Sequence, residues 1–343
     1  MSYSCFNDKN GFSFSAREIA ETVGRKGLLT MEIEFSLACN FSCPYCYNSK
    51  QQASIELESK TIDRVLTQAR EMGARKIVIL GGEPMIYPEI HEKIRLIRRL
   101  GMEVEMFTNG SSMTPENARF MYQQQVSVVL KRNSFNPELQ NRLAGREDAS
   151  DIITNAYLNL TRAGYPAADR RLAVSTIICE QNLEELPDLW RWLRRHDIEP
   201  YFEMITPQGG GAGDDWSISS LRQRRLFEEL AAIDKREYNR SWEPQPPLVG
   251  NACLRHQFSC LVNAHGAVMP CVGVTLPLGN VYEQPLQEIL EKSEVMDKLR
   301  HFPDHIKGGC RLCDKADHCY GCRGAAYQVT GDYLASDPTC WHN

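Results

Sequence analysis

The sequence predicts an α/β protein, an open partial (β/α)6 barrel followed by a smaller cysteine-rich domain, and three observations carry that prediction. From Met31 to about Thr206, short β-rich runs alternate with helical stretches, the order of parallel βα units. There are six such runs, which suits an open barrel rather than a closed one of eight strands. After a Gly-rich break at Thr206–Gly213, the chain places eight of its thirteen cysteines between residue 253 and the C-terminus. With 343 residues and 42% hydrophobic composition, it can bury one large barrel core and a small second domain.

Residues 1–30 are expected to form an N-terminal extension, and the barrel to occupy 31–206. Its strands are expected at 31–37, 76–80, 102–107, 126–130, 171–178 and 200–205, with helices near 56–72, 89–100, 114–124, 149–163 and 183–196. Right-handed crossovers bring all the βα loops to one face. Residues 207–250 read as a linker that opens on the Gly-rich run. The competing reading of that run is bare backbone lying against a bound ligand. A helical segment from about Ser219 to Tyr238 and a Pro-rich passage at Pro244–Pro247 lead into the cysteine-rich part, 251–343. The Arg-rich runs at 191–195 and 222–225 read as polar helix faces, with Trp190 or Trp192 packed inward.

A formal charge of -5 argues against a nucleic-acid partner, because phosphate neutralisation needs a basic surface. No apolar run is long enough to cross a bilayer, and the start Met1-Ser2-Tyr3-Ser4 lacks the order of a secretory signal. A cytoplasmic protein with no membrane partner is therefore expected. In a reducing compartment, clustered cysteines at short spacing read as metal ligands rather than disulfides.

Cys39, Cys43 and Cys46 follow the first strand as C-x3-C-x2-C and offer three thiolates from one tight loop. A structural zinc site closes with four ligands, whereas three leave one iron of a four-iron cubane free to bind something else. The loop resembles the signature of the radical S-adenosylmethionine (SAM) superfamily, whose fold is a partial TIM-like barrel. In that family the open iron chelates the methionine part of S-adenosylmethionine, and reductive cleavage yields a 5′-deoxyadenosyl radical. Gly81-Gly82-Glu83-Pro84, after the second strand, resembles the family's GGEP motif. Glycine there permits close backbone approach to a ligand, and the Glu83 carboxylate can accept hydrogen bonds from the cofactor's ammonium. Further cofactor contacts implied by the resemblance are Tyr45 against adenine, Thr108 and Asn109 (in Thr108-Asn109-Gly110) at the ribose, Ser175 or Thr176 at the same ribose, and Arg142 at the methionine carboxylate. Lys131 and Arg132 either share that role, grip an anionic substrate or are solvated charges. Tyr45 serves equally well as a shield for the cluster, and Thr108–Gly110 as ordinary turn chemistry. Glu203, on the last strand, is the candidate to position substrate or take a proton, with a structural ion pair as the alternative.

In the C-terminal part, Cys253, Cys260, Cys271, Cys310, Cys313, Cys319, Cys322 and Cys340 resemble the SPASM extension of radical enzymes, which holds two auxiliary clusters. Three 4Fe–4S clusters in all use eleven cysteines and leave Cys5 as a bystander and Cys179 as a packed small hydrophobe. The resemblance assigns Cys253, Cys260, Cys271 and Cys322 to the cluster nearer the barrel, and Cys310, Cys313, Cys319 and Cys340 to the distal one. A rival partition keeps Cys310, Cys313, Cys319 and Cys322 together and gives Cys340 to the other set. A pair of zinc knuckles is the plainer alternative. One departure from the family is two residues, rather than three, between Cys319 and Cys322.

The resemblance implies an oxidoreductase or maturase that modifies a peptide or protein residue by oxidation or cross-linking, supplied with electrons by a donor such as flavodoxin or ferredoxin. About thirty residues before the barrel are too few for the winged-helix module of many peptide maturases. Val272 after Cys271 stands where sulfatase-maturing relatives carry an acidic residue, which disfavours formylglycine formation. Dehydrogenation or epimerisation of an aminoglycoside, sugar or nucleoside is the alternative, and an iron–sulfur electron carrier the remote one.

Overall fold

The structure is a computed structural model, and it describes residues 2–3, 14–48, 55–213, 216–317 and 319–342. Cys5 lies outside the described residues. Six parallel strands form the barrel: β1 (Thr30–Glu34), β2 (Lys76–Leu80), β3 (Glu103–Thr108), β4 (Val126–Lys131), β5 (Leu172–Ile178) and β6 (Glu199–Met204). Each expected strand is present within a few residues. The sheet does not stop at the barrel, however. Short strands β7 (Leu261–Val262), β8 (Ala267–Met269) and β9 (Gly279–Asn280) extend it in the order β9-β8-β7-β1-β2-β3-β4-β5-β6, with β7 parallel to β1. The cysteine-rich part is thus continuous with the barrel sheet.

Helix α1 (Ala16–Gly24) precedes the barrel, started by a capping box in which Ser15 accepts from the Glu18 amide and Glu18 accepts from the Ser15 amide. The crossover helices are α2 (Ser59–Glu71), α3 (Ile90–Arg99), α4 (Pro115–Gln123), α5 (Pro137–Ala144), α6 (Ala149–Ala163) and α7 (Leu186–Arg195). Of these only α5 escaped the sequence reading. It is two turns long, too short for its periodicity to stand out. In α7, Leu186, Leu189, Trp190 and Leu193 recur at helical spacing and are buried. Trp190 is the indole that packs inward, and its Nε1 donates to Asp234 Oδ1 at 2.8 Å. Asp234, on α8 (Ser220–Tyr238), also takes two bonds from Arg194, so that arginine belongs to a buried pair rather than a solvated face.

Strand alternation sorts side chains between the helices and the barrel interior. Met31, Ile33, Ile77, Ile79, Val104, Met106, Val128 and Leu130 join the outer apolar core. Their neighbours Glu32, Lys76, Glu105, Lys131, Ser175 and Glu203 line the interior cavity. The lower interior is filled by buried charges. Arg171 pairs with Glu105 and, at 2.9 Å, with Glu199, while Arg255 holds Glu32 at 2.6 Å. The open side between β6 and the β7 to β9 extension is closed by residues around Leu248. The Met204 amide donates to the Pro247 carbonyl and the Val249 amide to that of Phe202. A second apolar cluster then ties Phe14 and Ile19 to Tyr201, Leu254, Phe258, Phe302 and Tyr320, uniting both ends of the chain under the barrel.

Candidate active site

The cysteine loop is shaped by neighbouring backbone that carries no side chain. The Gly82 amide donates to the Ser36 carbonyl at 2.9 Å and the Glu83 amide to the Ala38 carbonyl at 2.7 Å. A Cβ at Gly82 would overlap the Ala38 carbonyl. On another side, Gly145 closes α5 in the left-handed region (φ 61°), where a Cβ would overlap the Ser42 carbonyl, and the Ser42 amide donates to Ala144. From a third side Gly210 donates to the Cys46 carbonyl at 2.8 Å, and a Cβ there would overlap the Pro44 carbonyl. The Gly-rich run, whose Thr206 and Gln208 line the adjoining cavity, is therefore not a free linker. It packs on the loop itself, as do the glycines of the GGEP motif, because three segments converge where only glycine fits.

Held in this way, Cys39, Cys43 and Cys46 all line one cavity of about 380 Å³. Burial raises their thiol pKa values, that of Cys43 to about 11. Glu83 is 2% exposed, and its carboxylate is occupied: Oε1 accepts from Thr108 Oγ1 at 2.6 Å and from the Met85 amide at 3.0 Å, and Oε2 accepts from the Asn109 amide at 2.6 Å. Burial lifts its pKa to about 7 against the pull of these three donors. Glu83 thus ties the loop after β2 to the end of β3. Asn109 Nδ2 in turn donates to Asn40 Oδ1 at 3.0 Å and lies 3.8 Å from Cys39 Sγ.

Above this floor Lys131, Ser175 and Glu203 form a polar row across β4, β5 and β6. Lys131 Nζ donates to Ser175 Oγ at 3.2 Å, and Ser175 Oγ to Glu203 Oε1 at 3.4 Å. Burial raises the Glu203 pKa and lowers that of Lys131, each moderated by the charge of the other. Tyr45 stands beside this row, with its ring 5.6 Å from Lys131 Nζ and its hydroxyl accepting from Asn133 at 2.7 Å. Strand alternation also separates two neighbouring pairs by the side they face. Ser175 faces the cavity while Thr176 Oγ1 donates to the Arg132 carbonyl, and Lys131 faces it while Arg132 reaches Thr154 on α6.

Arg142 is not brought to the cavity. On α5, Gln140, Leu143 and Ala144 face inward, so helical spacing leaves Arg142 exposed. Cys179 is fully buried among Leu143 and Ile177, the packing role expected of it.

The C-terminal cysteines divide between two spaces. Cys253, Cys271 and Cys322 line the main cavity together with the barrel triplet. Cys310, Cys313, Cys319 and Cys340 line a separate small cavity of about 20 Å³. Asp337 positions the chain between the sets. Its Oδ2 accepts from the Cys322 amide at 2.6 Å, while its own amide points at Cys310 Sγ. Arg323, 1% exposed, lines the main cavity and reaches within 4.0 Å of Cys310 Sγ. Cys260 departs from its expected place. Ser259 lines the cavity, but Cys260 packs with Val262 in the outer apolar core, on the opposite face of the sheet. Burial there lifts its thiol pKa to about 12. Soft thiolates at both spaces suit iron–sulfur ligation, and the donor set fits that chemistry. Among the described residues no three His, Cys, Asp or Glu side chains close on a single-ion position.

Several residues in or bracing the site were not anticipated: Glu34, which accepts from the hydroxyl of the cavity-lining Tyr47 at 2.7 Å, and Arg255, His256 and Arg323 in the cavity wall. A signal for the first was present in Thr30-Met31-Glu32-Ile33-Glu34, where charge alternates with apolar residues at the strand period. Nothing local in the sequence marks the other three, which are carried in by the C-terminal part.

Comparison with known proteins agrees with this geometry. The profile of the radical SAM superfamily matches residues 33–193, and that of the SPASM iron–sulfur cluster-binding domain matches 253–320. The AdoMet-dependent heme synthase of Methanosarcina barkeri is 26% identical over 339 residues, covering 90% of this chain and 94% of that protein. The PqqA peptide cyclase of Streptomyces rochei is 30% identical over 340 residues, covering 90% and 88%. In fold, Streptococcus suis SuiB bound to its precursor peptide SuiA superposes with a TM-score of 0.73 at 17% identity, covering 95% of this chain and 80% of that one. The chain belongs to the radical SAM superfamily, as an enzyme with a SPASM domain that binds S-adenosylmethionine and iron–sulfur clusters.

Proposed function

We propose that this enzyme is a maturase that oxidises or cross-links a residue of a peptide, using three 4Fe–4S clusters. Cys39, Cys43 and Cys46 would hold the first. Cys253, Cys271 and Cys322 would contribute to a near auxiliary cluster, and Cys310, Cys313, Cys319 and Cys340 would hold a distal one. The separate cavity around the last four supports this partition over the rival that keeps Cys322 with them. Residues 31–206 and 251–343 are then functional divisions more than spatial ones, since the later strands extend the barrel sheet.

S-adenosylmethionine held beside the Cys39, Cys43 and Cys46 loop would supply the radical chemistry for hydrogen-atom abstraction from substrate. The chain does the rest. Gly81, Gly82 and Pro84 set the backbone beside the cysteine loop, Glu83 fixes Thr108 and Asn109 at the floor, and Tyr45 walls the cavity. Glu203 is placed to take a proton from the substrate at its carboxylate, with Ser175 and Lys131 orienting it. Phe107, Val129, Ile177, Tyr201 and Leu248 add apolar wall that excludes water.

The observation that carries this reading is that one cavity is lined at once by the barrel triplet, the Lys131–Ser175–Glu203 row and Cys253, Cys271 and Cys322. A substrate in that space can lose a hydrogen atom at one end and an electron at the other. The peptide class is supported by the likeness to a PqqA peptide cyclase and to the fold of SuiB. Val272 lines the cavity beside Cys271 and offers no carboxylate, so formylglycine formation is set aside. A heme precursor is the second reading, favoured by the heme synthase relative. Cytoplasmic location and a flavodoxin or ferredoxin as electron donor complete the proposal; among the described residues no helix is long and apolar enough to cross a membrane.

The test is anaerobic reconstitution with reductant and S-adenosylmethionine, with 5′-deoxyadenosine and methionine measured against time. Peptides encoded beside the gene are then added and weighed. Cleavage accompanied by loss of two hydrogens from one peptide is the expected result. Cleavage that only a porphyrin precursor stimulates selects the second reading, and no cleavage by a cluster-replete sample overturns both.

A further inference from the structure

With Cys260 on the far face of the sheet, the near auxiliary site has three thiols where a closed cubane takes four ligands. The same cavity wall holds a side chain with donor atoms to spare. His256 is 1% exposed, and neither Nδ1 nor Nε2 has a hydrogen-bond partner among the described residues. Among the described residues its close ring neighbour is Tyr320, at 5.4 Å between centroids. Two unpartnered buried nitrogens are destabilising, and packing against a tyrosine does not satisfy them. A metal bond would.

The local chain brings His256 to the right place. Cys253 lies just before the single turn Arg255–Gln257 that carries His256, and both residues line the main cavity. Cys271 and Cys322 lie within electrostatic reach of Cys253 and of each other, and His256 is beside Arg323, the residue after Cys322. Burial and the neighbouring Arg255 and Arg323 keep the imidazole neutral, the form that ligates metals.

We propose that the near auxiliary cluster is held by Cys253, Cys271, Cys322 and His256, and that Cys260 is a packing residue of the outer core. The proposal rests on the reading that the C-terminal part carries iron–sulfur clusters. A neutral imidazole in place of a thiolate leaves the cluster with one negative charge fewer and a higher reduction potential. The ligand exchange therefore makes the near cluster the better electron acceptor of the two auxiliary sites, on the side that faces the substrate cavity.

The experiment uses the full chain, reconstituted anaerobically after growth on 15N-histidine, in a background where Cys39, Cys43 and Cys46 are alanine so that only the auxiliary clusters remain. Pulsed EPR of the reduced protein should show a 15N coupling that disappears in His256→Cys, with iron content retained and the midpoint potential of one cluster lowered. Iron and sulfide should be unchanged in Cys260→Ala and reduced by about half in Cys253→Ala. The proposal is overturned if Cys260→Ala loses as much iron as Cys253→Ala, or if the nitrogen coupling is absent or survives in His256→Cys. The pulsed measurement needs no substitution at Cys260 and decides the matter even if that variant does not fold. A parent chain that takes up zinc and no iron overturns the cluster reading itself, an outcome distinct from both.

Discussion

In the barrel loop, three cysteines come from one short stretch of chain, and surrounding backbone fixes them. Gly82, Gly145 and Gly210 approach from three directions at points where any Cβ would overlap a carbonyl. The C-terminal cysteines come instead from several stretches between residues 253 and 340, and side chains gather them: Asp337 holds the Cys322 amide and Thr339, while Arg323 spans from the main cavity toward Cys310. A backbone clamp depends on residues that have nothing to offer but small size. A side-chain clamp depends on which residues happen to face inward. The first is robust to most substitutions and fails outright at glycine; the second can exchange one donor for another, as Cys260 and His256 suggest.

The largest expected effect follows from that contrast. Gly82→Ala should abolish 5′-deoxyadenosine formation and remove the iron of the barrel cluster, because overpacking against the Ala38 carbonyl displaces the loop. Gly324→Ala, whose Cβ would lie 2.8 Å from the Gly273 Cα, should spare cofactor cleavage and lose auxiliary iron instead. Iron per chain and cleavage rate, measured on both variants, separate the two clamps. If Gly82→Ala keeps full cleavage, the loop is not held as described.

Next in size is the substrate side of the barrel. Glu203→Gln should slow product formation about a hundredfold or more, the usual contribution of a placed acid or base. Cleavage of S-adenosylmethionine should continue. Arg142→Ala, on the exposed face of α5, should leave both unchanged. A large loss in Arg142→Ala would return that residue to the cofactor and show that α5 moves when the cofactor binds.

The same contrast governs how much was legible in the sequence. The strands and the triplet could be read because each is local: Lys76-Ile77-Val78-Ile79-Leu80 is a strand by composition alone, and C-x3-C-x2-C is complete in eight residues. The glycines of the GGEP motif were visible, but their reason was not, since their contact is the loop after β1, a long way off in sequence. That Cys260 faces the outer core could not be read, because cysteine identity says nothing about facing; its place is set by the pairing of β7 with β1, a long-range register. The continuity of sheet and cysteine-rich part was hidden for the same reason, as β7 to β9 are only two or three residues long.

Stability should report the buried charges beneath the barrel triplet, which have no counterpart under the C-terminal set among the pairs described. Arg171 is 3% exposed and joins Glu105, fully buried, to Glu199. Arg171→Leu removes the cation that two buried carboxylates share and leaves Lys76 near Glu105. Denaturant unfolding should show a loss of about 3–5 kcal/mol. A loss within the error of the parent value would mean that Lys76, 3.8 Å from Glu105, suffices alone.

A smaller effect, and the one that tests the floor of the barrel site directly, is the titration of Glu83. Its carboxyl is raised from 4.5 to about 7 by burial. As pH rises through 4.5 the unfolded chain releases this proton while the folded chain keeps it, so folding loses stability with rising pH until the folded group also ionises near 7. The loss across that window should approach about 3 kcal/mol in the metal-free chain. Glu83→Gln cannot ionise and should lack this slope, although it is less stable throughout because an amide nitrogen faces the Asn109 amide where Oε2 had accepted. Urea midpoints from pH 4.5 to 8, subtracted between parent and variant, isolate the term. Equal slopes in the two would show that the three donors from Thr108, Met85 and Asn109 outweigh burial, and that the brace is ionised across the whole range.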